Sequence, residues 1–218
     1  MVTLYHCDGA RSFRPLWMLE EMGLAYELKM LPFPPRVFAR DYLALNPLGT
    51  IPLMIDGDTK MTESAGICHY LGVKYGPTPL MVETSDPHYR AFLNWMYFSD
   101  ATLTFPQTLV LRYSQLEPEE RRNPQVSTEY AKWFFGRLRA VEAATAKSET
   151  LCVGRFTAAD IVIGYALRLA GTIGLAKDFG PNVAAYWARL QERDGYKRAI
   201  AAEQRAGVEQ NVAPRIRA

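Results

Sequence analysis

The stretch Asn46–Gly57, NPLGTIPLMIDG, has the composition of a strand that leads into a tight turn. Pro52 stands inside its apolar run, between Ile51 and Leu53. A proline donates no N–H to a sheet and is found mainly at edge strands, strand starts and bulges. The stretch therefore indicates either that it is not a strand or that Pro52 has a role of its own.

The composition is that of an ordinary globular protein. Of the 218 residues, 49% are hydrophobic and 22% are charged, which allows one large domain or two small ones. The formal net charge of +2 is too small to favour nucleic acid as a partner. No run of about 18 apolar residues occurs without a charge, so we expect a cytoplasmic chain with neither a signal peptide nor a membrane span.

The cysteines and histidines give no support for metal chemistry. Cys7, Cys68 and Cys152 are odd in number and widely spaced, and no C-x-x-C pair occurs. This pattern is against a disulfide framework and against a thiolate zinc site. The three histidines include no H-E-x-x-H spacing. We therefore expect no metal.

Strand and helix patterns alternate over residues 1–78, and a β-run, a helix and a β-run in this order predict a parallel crossover unit. A hairpin turn, DGD, should join the last two strands. We expect strands over Val2–Tyr5, Ala25–Leu31, Leu53–Ile55 and Lys60–Thr62, and helices over Ser12–Met22 and Ser64–Tyr75.

Helical patterns alone follow, which predicts an all-α domain over residues 86–206 and a loosely ordered tail over 207–218. Asp86–Pro87 has the composition of a helix start, and Pro106 should kink or break a helix near Thr104 and Phe105. Thr157 and Asp160 have capping-box spacing at the start of a buried helix. Further helices are expected over Ser127–Lys147, Asn182–Glu192 and Tyr196–Gln204.

Four segments in fixed order together resemble the cytosolic glutathione transferase superfamily, of bacterial type, over nearly the whole chain. They are LYHCDGARSFRPLWMLEEMG (4–23), NPLGTIPLMIDG (46–57), TESAGICHYL (62–71) and FTAADIVIGYAL (156–167). The resemblance implies an α/β thioredoxin-like N-terminal domain that binds glutathione and an all-α C-terminal domain that shapes a second-substrate pocket. It also implies a homodimer and a detoxification reaction that adds glutathione to a small apolar electrophile.

The resemblance further implies which residues bind glutathione. Pro52 would follow a cis peptide bond, which about one X–Pro bond in twenty adopts in folded proteins, and Ile51 would offer its backbone N–H and C=O. Glu63 would meet the γ-glutamyl ammonium, and Ser64 would meet its carboxylate at a helix N-terminus. The alternatives are a trans proline at an edge strand and, for Glu63–Ser64, a simple helix start.

Several residues of the loop YHCDGARSF are candidates to stabilise the glutathione thiolate. Ser12 has the hydroxyl of a serine-type enzyme and is our choice of donor, with Arg11 adding positive charge. Tyr5 is the tyrosine-type candidate, and Cys7 is a candidate for a mixed disulfide. Ala10 stands about where several serine-type classes have serine. The alternatives are an N-cap for Ser12, a solvated side chain for Arg11 and a packed aromatic for Tyr5.

The resemblance places the second-substrate pocket along the first long helix of the C-terminal domain. The alternative for aromatic residues at helical spacing is the core. A non-catalytic ligand carrier or protein-interaction protein of the same fold is the alternative to an enzyme, and a related thiol-dependent reaction is an alternative to conjugation. The pocket candidates are Trp95, Tyr97, Phe98, Thr104 and Tyr113.

Overall fold

The computed structural model describes residues 1–214, whose contacts form two compact units. One unit contains Met1–Thr78 together with residues 191–214, and the other is Pro79–Leu190. This division differs from the expected domain over 86–206, because the last helix packs against the first helix of the chain. Of the expected tail, residues 207–209 are helical, and residues 215–218 lie outside the described part.

The sheet of the first unit has the strand order β2–β1–β3–β4. β1 runs parallel to β2, and β3 runs antiparallel to both β1 and β4. The register places Leu4 beside Leu28 on one side and beside Met54 on the other. The predicted crossover unit and hairpin are confirmed. The strands are β1 (Val2–His6), β2 (Tyr26–Met30), β3 (Leu53–Asp56) and β4 (Thr59–Met61).

The helices match the expected ones in most places, but α2 and the 3-10 turn Arg40–Ala44 after it were not predicted. α1 ends as expected at Gly23, whose φ of 63° lies in the left-handed region that glycine adopts without strain. In chain order the α-helices are α1 (Phe13–Met22), α2 (Pro35–Phe38), α3 (Ser64–Lys74), α4 (Tyr89–Tyr97), α5 (Phe105–Leu111), α6 (Pro124–Thr145), α7 (Ala158–Thr172), α8 (Pro181–Gln191) and α9 (Asp194–Glu209).

α9 is attached to the first unit along its whole length. Near its start, the Tyr196 ring packs edge-on against Trp17, with ring centroids 5.0 Å apart. Arg193 donates two hydrogen bonds of 2.8 Å to the Glu21 carboxylate. Just after the helix, the Gln210 side-chain amide bonds to the backbone of β2. Its oxygen accepts from the Met30 N–H and its nitrogen donates to the Leu28 carbonyl, both at 2.8 Å. This side chain therefore caps the otherwise open edge of the sheet.

The expected interruption near Pro106 is present as a π-helical stretch over Phe98–Thr104, after which α5 begins. Proline cannot donate a hydrogen bond to the preceding turn, so a local change of helix geometry accommodates it. The Thr104 hydroxyl takes up one of the carbonyls in this stretch, donating to Ser99 O at 2.7 Å.

The predicted start of the first helix of the second unit at Asp86–Pro87 is wrong, because this helix, α4, begins at Tyr89. Asp86 uses its side chain in a turn before the helix, where Oδ1 accepts from the His88 N–H at 2.8 Å. A short side chain that bonds the backbone two residues on stabilises a turn in place of a helix.

Within residues 1–214, no helix is long and apolar enough to cross a membrane.

The capping box at the start of α7 is confirmed and is fully buried. Asp160 Oδ2 accepts from the Thr157 N–H at 2.8 Å, while Oδ1 accepts from the Leu151 N–H at 3.0 Å and from the Tyr186 hydroxyl at 2.8 Å. One carboxylate therefore satisfies buried donors from three parts of the second unit.

Replacing Asp160 with Ala should lower the free energy of unfolding by about 2 kcal/mol or more, because three buried donors lose their acceptor. Chemical denaturation of the purified protein measures this change. Asp178→Ala, at an exposed aspartate of the same unit, is the control and should cost less than about 0.5 kcal/mol. Equal stability of the two variants would contradict the assignment.

Candidate functional site

Loops from three strands meet at one end of the sheet in the first unit. Because β3 is antiparallel to β1, the register that pairs Tyr5 with Leu53 places the segment after β1 beside the segment before β3. β3 is also antiparallel to β4, and the pairing of Met54 with Met61 brings the end of β4 to the same place. Ile51–Pro52 and Glu63–Ser64, which the sequence placed far apart, therefore lie on neighbouring strand extensions.

The backbone at Ile51 is open to a ligand. The Ile51–Pro52 peptide bond is cis, and among residues 1–214 neither the N–H nor the C=O of Ile51 takes part in a hydrogen bond. The residue before it is held firmly, since Thr50 O accepts from Tyr42 Oη at 2.8 Å and from Asn46 Nδ2 at 2.9 Å. A peptide ligand could pair with Ile51 as an additional strand would.

A buried arginine supports the start of α3. Arg14 on α1 is fully buried, and its Nη1 donates to Ser64 Oγ at 2.9 Å. Ser64 is the first residue of α3, so a positive charge and the positive end of a helix dipole lie together. Glu63 before it is exposed and makes no capping hydrogen bond with its side chain. The arrangement suits a ligand that carries both a carboxylate and an ammonium group.

Sequence reasoning did not identify Arg14 as part of this site. Its one signal was a charged residue among apolar neighbours on the buried face of α1, between Phe13 and Leu16. Such a residue needs a polar partner when the helix packs against the protein, because burying an uncompensated charge is costly. The partner lies 50 residues away, and the sequence gives no means of finding it.

In the loop after β1, Ser12 is fully buried. Ser12 Oγ does not cap α1 and instead accepts from the Cys7 N–H at 3.4 Å, which closes the loop on itself. Arg11 beside it is half-buried. Tyr5 packs against Tyr42 with ring centroids 5.5 Å apart, as its alternative interpretation expects. The roles of Ser12, Arg11 and Tyr5 toward a thiol stay predictions.

The three cysteines are reduced and buried, and Cys7 Sγ lies 3.8 Å from the backbone oxygen of Pro32. In the part of the chain that the structure describes, no group of three or more His, Cys, Asp or Glu side chains is arranged to hold a metal ion.

A cavity of about 890 Å³ lies beside the loop, within the first unit. Asp8 and Glu203 are among the residues that line it. Met30 at the end of β2 and Val212 and Pro214 after α9 contribute apolar surface. A volume of this size is in the range of pockets that hold small organic molecules.

The candidates for the second-substrate pocket belong to the second unit and differ in their surroundings. Tyr97 is 68% exposed, whereas Thr104 is fully buried and its hydroxyl is bonded to a backbone carbonyl. Trp95 and Phe98 pack edge-to-face with centroids 5.2 Å apart. Tyr113 is half-buried, and the Arg112 guanidinium carbon lies 5.5 Å from the centroid of the Tyr113 ring. Their contact with a substrate stays a prediction.

Known proteins resemble this chain in sequence and in structure. The family described as "Glutathione S-transferase, N-terminal domain" matches residues 10–74. Glutathione S-transferase hmp2 of Hypomyces subiculosus is 30% identical over 173 residues, which are 74% of this chain and 79% of that protein. Glutathione S-transferase GstB of Escherichia coli is 26% identical over 208 residues, which are 92% of this chain and 98% of that protein.

A solved structure agrees with these relatives. The glutathione transferase URE2P6 from Phanerochaete chrysosporium, crystallised in complex with oxidized glutathione, superposes with a TM-score of 0.81 at 26% identity. The match covers 94% of this chain and 97% of that one. The chain belongs to the glutathione S-transferase family. The predicted thioredoxin-like first part and helical remainder are confirmed, and so is the enzyme class, glutathione transferase.

Proposed function

We propose that this transferase binds glutathione at the end of the sheet where the three loops meet. The observation that carries the proposal is a set of polar groups at this end of the sheet, each of which can bind one part of the glutathione peptide. The Ile51 N–H and C=O suit the cysteinyl backbone, and the Glu63 carboxylate suits the γ-glutamyl ammonium. Ser64, held by Arg14 at the start of α3, suits the γ-glutamyl carboxylate. The oxidized glutathione bound by URE2P6 supports this choice of ligand.

In the proposed reaction, the thiolate of glutathione attacks a small apolar electrophile, as in detoxification. A free thiol has a pKa of about 8.5, so the site must lower it for the thiolate to predominate at neutral pH. Ser12 Oγ accepts from Cys7 and keeps its own hydrogen to donate, and Arg11 adds positive charge.

We also propose that the electrophile binds in the cavity beside the loop. The apolar lining at Met30, Val212 and Pro214 favours an apolar molecule. Turnover of a chloro-dinitro aromatic with glutathione, alongside calorimetric glutathione binding, tests the whole proposal. Binding without turnover on a broad panel of electrophiles and peroxides would contradict it and favour a ligand carrier.

Glu63→Gln should weaken glutathione binding by about fivefold, because the exposed ammonium group loses its counter-charge while the rest of the site is unchanged. Titration calorimetry measures this dissociation constant. Glu83→Gln removes the same charge from an exposed position of the second unit and should leave the constant unchanged. Equal effects of the two variants would place the ammonium elsewhere.

Ser12→Ala should raise the apparent pKa of the bound glutathione thiol, because the thiolate loses a hydrogen-bond donor. The pKa is read from thiolate absorbance during a pH titration of the complex. Ser85→Ala, at an exposed serine, is the control. An unmoved pKa in Ser12→Ala excludes Ser12 and transfers the role to Arg11 or Tyr5.

We further propose a cytoplasmic homodimer, in which an aromatic surface of the second unit is covered. Phe105 and Trp133 are 47% and 39% exposed, and Tyr130 stacks on Trp133 at 5.3 Å. Exposed aromatic clusters of this kind are typical of interfaces. Light scattering should give the mass of two chains for the wild type and of one for Trp133→Glu. A one-chain mass for the wild type would contradict the dimer.

A further inference from the structure

A buried glutamate in the second half of α9 contacts the loop after β1. Glu203 is 2% exposed, and its Oε1 accepts a hydrogen bond of 3.3 Å from the Gly9 N–H, 194 residues away. Its Oε2 lies 3.3 Å from His6 Nε2, and both side chains are inaccessible to solvent. One carboxylate therefore contacts both the last residue of β1 and the middle of the loop.

His6 strengthens the case that this contact is specific. His6 lies on the buried face of β1, where Val2, Leu4 and His6 alternate with less buried residues. The His6–Glu203 contact is within ion-pair distance but is not aligned as a hydrogen bond, and within residues 1–214 neither ring nitrogen has a hydrogen-bond partner. Burying an imidazole ring or a carboxylate away from any polar partner costs free energy. The contact between His6 and Glu203 therefore fixes the position of Glu203.

The loop itself depends on an anchor at its centre. Gly9 has a φ of 64°, a left-handed conformation that makes the chain turn at this residue. The ends of the loop are closed by Cys7 N–H to Ser12 Oγ at 3.4 Å and by Ala10 N–H to Cys7 O at 3.1 Å. The bond from Gly9 to Glu203 ties the turn between them to a different part of the chain.

The anchor is rigid because α9 is held on both sides of Glu203. Tyr196 packs against Trp17 before it, and Gln210 bonds to the β2 edge after it. A carboxylate on such a helix has little freedom to follow a moving loop. Residues that bond to a ligand-binding segment on the side away from the ligand set the geometry of that segment without touching the ligand.

We infer that Glu203 is a positioning residue, which fixes the loop of residues 7–12 so that Arg11 and Ser12 face the thiol of glutathione. This role rests on the proposed function, and it assigns a task to the last helix that the family motifs do not contain. Loss of the Gly9 contact should misplace the thiolate donors while leaving the peptide-binding groups at Ile51, Glu63 and Ser64 in place.

The experiment compares Glu203→Ala with Glu203→Gln, which keeps an acceptor oxygen for Gly9, and with Glu209→Ala as an exposed control on the same helix. In Glu203→Ala, hydrogen exchange of the peptide that contains residues 7–12 should accelerate by about tenfold, which corresponds to one lost hydrogen bond. The apparent pKa of the bound thiol should rise, and the glutathione dissociation constant should change by less than about threefold. Glu203→Gln should recover slow exchange, and Glu209→Ala should match the wild type.

The outcomes separate this role from the proposed function. Failure of the wild type to bind glutathione overturns the proposed function and this role with it. Normal binding with an unchanged thiol pKa in Glu203→Ala, or with unchanged exchange in the loop, overturns the role of Glu203 alone. If circular dichroism shows that Glu203→Ala does not fold, Glu203→Asp carries the test, because it keeps the charge but is one methylene too short to reach Gly9.

Discussion

The pairing of β3 with both β1 and β4 is the constraint on which the candidate site depends. Because β3 runs antiparallel to its two neighbours, its first residue lies between the end of β1 and the end of β4. The three segments that could contact a peptide are thus brought together by backbone hydrogen bonds alone. Successive side chains of a strand point to opposite faces of the sheet, and both Leu53 and Met54 are buried, so packing on both faces of β3 also fixes where Ile51 lies.

Buried polar contacts then fix what the sheet brings together. Arg14 holds the first residue of α3 from the interior, and Glu203 holds the centre of the loop after β1. Such contacts are costly unless both partners are in place, so they favour a single arrangement of the loops. In the second unit, Asp160 has the same effect at the start of α7. The first two support groups proposed to bind glutathione, and the third stabilises the helical core.

Most of the fold follows from local patterns in the sequence. The strands, the hairpin and the capping box of α7 depend on residues within a few positions of one another, and the crossover follows from the order of a strand, a helix and a strand. These predictions agree with the structure. The start of α4 was misplaced because Asp86 stabilises a turn where a helix cap was expected. Both interpretations use the same short side chain, and the sequence alone does not distinguish them.

The supporting residues of the site were beyond the reach of sequence reasoning. Arg14 and Glu203 are ordinary charged residues on amphipathic helices, and their partners lie 50 and 194 residues away. The place of α9 in the first unit depends likewise on long-range contacts made by Tyr196 and Gln210. By contrast, Ile51 and Ser64 stand in contiguous motifs, which is why they could be singled out beforehand.

A crystal structure of the chain with glutathione tests most directly whether the peptide binds at this end of the sheet. The expected complex has hydrogen bonds from the cysteinyl residue to the Ile51 N–H and C=O. It also has the γ-glutamyl carboxylate on Ser64 and the ammonium beside Glu63. Glutathione bound away from Ile51, or bound there with its γ-glutamyl group remote from Glu63 and Ser64, would contradict this assignment.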